Sequence, residues 1–173
     1  FDPGEVLDKT REIIIKEFSK SDENVQDGMD IALCTILIDE YNQFLAGELD
    51  SLNLAFSGAN NRLWIVRNDD ITEVRPDKFP IGIYSQYKHF TTNHVQLLRN
   101  DIIYLFTDGY VDQFGGPNDK KFLLGRFRKL ILKISDCEMK EQQTIINDEL
   151  ELWMSYNNTE QVDDVCVMGV KIG

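Results

Sequence analysis

Three carboxylates in this chain stand where an apolar run gives way to polar sequence. Asp108 closes the run DIIYLFT (101–107) and is followed by Gly109, while Asp163 and Asp164 open the run VCVMGVKI (165–172). A carboxylate held at the end of a buried strand is rigid, and several converging on one point repel one another. A divalent cation relieves that repulsion, and hard oxygen donors completed by water suit Mg²⁺ or Mn²⁺. Two such ions roughly 3.5–4 Å apart activate a water and grip a phosphoryl group. Gly109 would let the chain turn sharply after Asp108 with no side chain in the way. The plainer reading is turn chemistry. Asp-Gly is a common turn pair, and two loop acids can cap a strand start. On these residues alone both readings stay open.

The elements that must position these acids can be read from the pattern around them. Asp2-Pro3-Gly4-Glu5 has the form of a capping box with proline at the first helical position, and Val6, Leu7, Ile13, Ile14 and Phe18 follow at roughly helical spacing. Residues 19–28 read as a polar loop, and MDIALCTILID (29–39) as a strand buried on both faces. EYNQFLAGELD then turns the chain. SLNLAFSGA (51–59) is a second strand, and 61–68 with 71–76 a hairpin turning at Asp69-Asp70. PDKFPIGIYSQY (76–87), with Pro80 and Gly82, is a structured loop. Residues 90–100 and 101–109 read as two strands joined tightly at Asn100-Asp101. Leu123, Phe127, Leu130, Ile131 and Ile134 mark an amphipathic helix. Residues 138–155 make another, and 163–172 a closing strand.

Short connections favour antiparallel pairing, and segregated helices make the class α+β, helices packed on mostly antiparallel sheet. The expected core is Leu33, Ile36, Leu54, Phe56, Leu63, Ile65, Leu105, Val167 and Val170, packed with Phe127, Leu130 and Trp153.

A length of 173 residues fits one domain, 1–173. The net charge of −12 argues against nucleic acid as a partner, because phosphate contacts need Lys/Arg clusters. No apolar run approaches the ~20 residues that span a bilayer, and the acidic start has no signal-peptide organisation. Cys34, Cys137 and Cys166 fit no CxxC spacing and read as reduced thiols of a cytoplasmic protein.

Four segments in order carry a resemblance: AFSGANNRLWIVRN (55–68), FPIGIY (79–84), LFTDGYVDQF (105–114) and QVDDVCVMGV (161–170). Together they resemble the metal-dependent serine/threonine phosphatases of the protein phosphatase 2C kind, in the branch named after stage II sporulation protein E. The resemblance implies a β-sandwich flanked by helices and a pair of Mg²⁺ or Mn²⁺ ions. It implies that Asp108 and Asp163 are metal ligands and catalytic residues, with Asp164 shaping their surroundings and Gly109 supporting the turn. Gly58, Asn60 and Asn61 match the family's SGA segment, with Asn60 where many relatives carry histidine. Pro80 and Gly82 match its PIG loop, for backbone shape. Asp30 matches a recurrent acid at a strand start, best read as structural. Asp112 can hydrogen-bond near the site or stand as a solvated turn acid.

The implied substrates are phosphoproteins of bacterial partner switching, such as an anti-sigma-factor antagonist. The implied parent carries a sensor or membrane region in front. The family pattern also begins with a GGD strand and a D-x-x-G-H-G-x-x-A segment, neither of which occurs here, since the only Gly-Gly is Gly115-Gly116. The expectation is therefore a phosphatase domain truncated at its N-terminal side and inactive alone, with exposed sheet edges that favour a homodimer or other self-association. The alternative is a non-catalytic binding or dimerisation module.

Overall fold

The computed structural model describes residues 1–18, 28–83 and 88–173. Nearly all of the expected polar loop at 19–28 and the end of the 76–87 loop, residues 84–87, therefore lie outside the described residues. The chain divides into two compact units, one of Phe1–Leu63, Glu73–Arg99 and Ile172–Gly173, the other of Trp64–Thr72 and Asn100–Lys171.

The first unit opens with helix α1 (Pro3–Phe18). The Asp2 carboxylate accepts hydrogen bonds from the backbone N–H of Gly4 (2.9 Å) and Glu5 (3.2 Å), two of the donors that a helix start leaves orphaned. The Thr92 hydroxyl donates to the same carboxylate. That bond, with the N–H of Glu5, holds the Asp2 carboxyl below its usual range. Asp2→Ala is expected to cost about 1 kcal/mol, the usual worth of such a cap. Because the folded pKa is depressed, the contribution is complete above the ordinary aspartate pKa near ~3.9 and disappears as pH falls through the lower folded value. Urea titrations of wild type and variant should therefore differ at neutral pH and converge in strong acid.

Strand β1 (Ile31–Thr35) is shorter than the expected 29–39 and half-buried along its length, not buried on both faces. It lies at the edge of a sheet ordered β1-β2-β5, so it has a single neighbouring strand among the described residues. Leu33 and Ile36 are accordingly only half-buried. The segment expected to turn instead forms helix α2 (Ile38–Ala46). Asp39 and Glu40 suit its positive end, Phe44 is its buried anchor, and Gly47 at φ 80° stops it, with the N–H groups of Gly47 and Glu48 returning to the carbonyls of Phe44 and Gln43.

Strand β2 (Leu52–Ala59) alternates as a half-buried strand should, with Leu52, Leu54 and Phe56 fully buried and Asn53 exposed. It pairs antiparallel with β1 and with β5 (Asn93–Leu97). Leu7 of α1 packs with Ala59, Phe79, Ile81 and Phe90.

The other sheet is ordered β4-β3-β6-β9, from β3 (Leu63–Arg67), β4 (Asp70–Val74), β6 (Ile102–Phe106) and β9 (Val167–Lys171). The β3–β4 turn is Asn68-Asp69, one residue earlier than expected. Both have positive φ (48° and 59°), the conformation of a tight hairpin turn that Asn and Asp tolerate. The expected hairpin between 90–100 and 101–109 does not form: β5 pairs with β2, and β6 lies between β3 and β9. β6 and β9 are antiparallel, with Phe106 opposite Val167 and Tyr104 opposite Gly169.

Between β6 and β9 come α3 (Gly109–Asp112), the two-residue strands β7 (Phe114–Gly115) and β8 (Lys120–Lys121), α4 (Leu124–Ile134) and α5 (Met139–Ser155). The core of this unit is aromatic: Trp64, Phe106, Tyr110, Phe122, Phe127 and Trp153. Tyr110 and Phe127 have ring centroids 4.6 Å apart, and Trp64 and Phe106 4.7 Å apart.

Of the expected core, Leu54, Phe56, Leu63, Ile65, Phe127, Leu130 and Trp153 are buried. Leu105 and Val167 are half-buried, and Val170 is 42% exposed. β9 ends its sheet among the described residues, so side chains on one of its flanks have no strand beside them. The architecture is α+β with antiparallel sheets and helices. No helix of the described residues is long and apolar enough to cross a membrane.

Candidate functional site

Asp108 is placed by the β6–β9 ladder. The Thr107 N–H donates to the carbonyl of Cys166 (3.0 Å), extending the ladder one step beyond Phe106 and Val167. The Thr107 hydroxyl then donates to the carbonyl of Asp164 (2.8 Å) and accepts from the N–H of Cys166 (3.0 Å). One side chain thus stitches the end of β6 to the segment that enters β9. The sequence reading passed over Thr107. Its signal was a hydroxyl residue at the point where an apolar strand ends and its partner has no further strand bonds to offer.

The same register brings Gly109 against Asp164. A Cβ at Gly109 would lie 2.4 Å from the Asp164 carbonyl oxygen, 2.9 Å from its carbonyl carbon and 3.4 Å from the carbonyl carbon of Asp163. The Asp108-Gly109 and Asp163-Asp164 backbones are therefore in direct contact, although Asp108 and Asp163 are 55 positions apart. All three carboxylates are exposed. Asp163 Oδ1 accepts from the N–H of Asp164 (2.7 Å), and its carbonyl accepts from the Gln161 amide (2.7 Å), which shapes the approach to β9. The carbonyl of Asp108 accepts from the N–H of Asp112 (2.8 Å), so α3 begins immediately behind it. The Asp112 carboxylate pairs with Lys121 (2.8 Å).

The backbone contact at Gly109 cannot relax as a flexible side chain would. Gly109→Ala is expected to destabilise by about 1–3 kcal/mol, the usual range for overpacking. Thermal melts of the two proteins check this, and an unchanged midpoint would mean that the two segments separate easily.

The remaining family-matched residues belong to the first unit. Gly58 admits no side chain, since a Cβ there would lie 2.2 Å from the Asn61 carbonyl oxygen. Its carbonyl accepts from the N–H of Asp77 (2.9 Å), and the Asn60 N–H donates to the Asp77 carbonyl (2.9 Å). Asn60 has φ 57°, and its side-chain amide donates to Asp30 Oδ1 (2.8 Å). Asp30 thus braces the turn after β2. Ile81, between Pro80 and Gly82, exchanges backbone hydrogen bonds with Met29 (2.8 and 2.9 Å), and Gly82 is buried. In this setting these residues shape backbone.

Asp108 and Asp163 are hard, exposed oxygen donors of the kind a divalent cation takes, with Asp164 beside them. They fit part of such a site. Among the described residues no group of three or more His, Cys, Asp or Glu side chains stands close enough to hold a metal ion.

The sequence profile of stage II sporulation protein E matches residues 1–173, the whole chain. The chain belongs to the stage II sporulation protein E family. Among curated proteins no sequence match reaches significance. Solved structures of the family's kind do match. One is the SiaA-PP2C domain of Pseudomonas aeruginosa, at TM-score 0.82 and 22% identity, over 99% of this chain and 61% of that one. Another is the phosphatase domain of the cell fate determinant SpoIIE from Bacillus subtilis (Mn presoaked), at TM-score 0.54 and 17% identity, over 97% of this chain and 70% of that one. These likenesses show the fold. This stage II sporulation protein E family chain spans less than two thirds of the SiaA domain it matches.

Proposed function

We propose that the chain forms part of a Mg²⁺- or Mn²⁺-dependent phosphatase that removes phosphate from phosphoserine or phosphothreonine in a signalling protein. The observation that supports this reading is the close packing of Gly109 on Asp164, which brings the segment that leaves β6, with exposed Asp108, against the segment that leads into β9, with exposed Asp163. In this reading Asp108 and Asp163 hold metal, and Asp164, Gly109 and Thr107 keep the two carboxylates in place. Bound metal would supply charge stabilisation for the phosphoryl group and an activated water. The residues' own work is to hold two exposed carboxylates in place. Gly58, Asn60 and Gly82 shape backbone within the first unit.

Two carboxylates leave a hard cation mostly hydrated. We therefore expect the 173-residue chain alone to show negligible turnover, and a chain of the full SiaA-like length to be active. The substrate in this reading is a small phosphoprotein such as an anti-sigma-factor antagonist, the setting is the cytoplasm, and the chain self-associates. The test is phosphate release from a phosphoserine protein in Mn²⁺ or Mg²⁺, with both lengths compared. Robust turnover by the 173-residue chain would place the active site elsewhere.

The absence of a third metal-ligating side chain near Asp108 among the described residues favours a second reading, a non-catalytic binding or dimerisation module. A full-length chain that stays inactive at saturating metal would select it.

A further inference from the structure

The acidic chain carries one strongly cationic stretch. Between Lys120 and Ser135 there are six of its 18 Lys and Arg residues and no Asp or Glu. The fold gathers this stretch into a groove of about 750 Å³ between the β7–β8 hairpin and α4, lined by Lys120, Lys121, Arg126, Lys129 and Lys133, with Glu149 as the single acid. Lys120, Arg126, Lys129 and Lys133 are exposed, and none has a salt bridge to a described residue. Lys121 pairs with Asp112 at 2.8 Å, but both partners are more than two-fifths exposed, and pairs of that kind are weak and easily exchanged.

The floor and rim add apolar contacts. The Arg126 guanidinium lies 4.3 Å from the Trp153 ring centroid and 5.5 Å from that of Phe122. Stacking of this kind orders a side chain whose planar fork suits carboxylates. Leu123 stands 59% exposed at the rim.

We infer that this groove docks an acidic segment of a partner protein, one in which Asp or Glu alternate with apolar residues. Charge complementarity argues for it: five cations face a groove with one acid, on a chain of net charge −12 that repels other anions elsewhere. A membrane surface fits less well. The apolar residues of α4, Phe127, Leu130, Ile131 and Ile134, are buried in the core, so the helix has no apolar face to insert. The inference does not depend on metal or turnover.

The probe is a fluorescein-labelled peptide alternating Glu and Leu, followed by anisotropy against the 173-residue chain. Lys120→Glu/Lys129→Glu removes two exposed charges that make no ion pair among the described residues, so its fold should persist. Arg126→Gln is a second variant, and Lys140→Glu on α5 a control. Binding should weaken several-fold between about 0.05 and 0.3 M salt, as screening shortens the reach of the cations. The double reversal should weaken it at least about tenfold, Arg126→Gln should weaken it less, and the control should leave it unchanged. Equal binding by wild type and the double variant, or salt-independent binding, overturns the inference. So does a preference for phosphatidylserine vesicles, or self-association through the same residues with no peptide binding.

Discussion

Asp108→Asn, placed in a chain of full SiaA-like length, should lower phosphate release from a phosphoserine protein by at least about 100-fold. That is the upper range for losing an outer partner of a metal ligand, and a direct ligand should matter no less. The reason is local. Asp108 follows a strand end whose direction is set by Thr107 on both Cys166 and Asp164, so an Asn side chain would occupy the same position with the same shape. It would lack the charge and one of the two acceptor oxygens. Asn also suits a turn as well as Asp does, so the melting midpoint should scarcely move. Loss of activity at unchanged stability is the signature of a ligand. Retained activity would return Asp108 to plain turn chemistry, and equal losses of activity and stability would make it structural. Isothermal titration with Mn²⁺ gives an independent readout, in which the variant should bind more weakly than wild type.

Trp153→Ala should be the most damaging single core substitution, at about 3–5 kcal/mol. Trp153 is 7% exposed and meets Phe122 edge-on at 5.3 Å. Its indole N–H donates to the Gln113 carbonyl (3.2 Å). Its own carbonyl accepts from the N–H of Gly116 (2.8 Å). The ring also fills the space that a side chain at Gly116 would need, since a Cβ there would lie 2.3 Å from it. Truncation leaves a void, removes one of the two donors to the Gln113 carbonyl, which keeps the Phe122 N–H (2.9 Å), and leaves the Arg126 guanidinium without the ring beneath it. For a chain of this size the cost corresponds to a fall of roughly 6–20 °C in melting midpoint. Trp153→Phe should recover much of the packing but not the hydrogen bond. If the alanine variant melted within about 2 °C of wild type, the aromatic cluster would not be the stabilising centre of its unit.

The two predictions differ in how far the sequence leads to them. Trp153 is visible as core from its place at the end of an apolar-spaced helix. Asp108 is visible as an acid at the end of an apolar run, but the same local pattern describes an ordinary turn. Only its neighbours separate the two readings, and those lie on another strand.

Local chemistry was enough for much of the fold. The capping of α1 by Asp2, the stripe of Phe127, Leu130, Ile131 and Ile134 on α4, and the alternation along β2 follow from side-chain type and spacing, because each is satisfied within a few residues. The hairpin at Asn68-Asp69 was readable to within one residue. The segment 29–46 was not: nearly continuous apolar sequence has no period, and whether Ile38 continues a strand or starts a helix depends on whether a neighbour pairs with it. β1 has one neighbouring strand among the described residues, it stops at Thr35, and α2 takes over.

What the sequence determined by itself was therefore the identity of most of the elements, α2 excepted, and of the acids near their ends, along with the order of motifs that marks the family. What only the tertiary structure decided was adjacency. Nothing near residue 97 says that β5 pairs with β2 and that β6 goes to β9, because strand pairing depends on side-chain and backbone partners far away in the chain. The contact of Gly109 with Asp164 follows from that pairing and register. So does the exposure of Val170, which an apolar residue in a strand pattern would not suggest: β9 lacks a second neighbour among the described residues, and burial is set by neighbours.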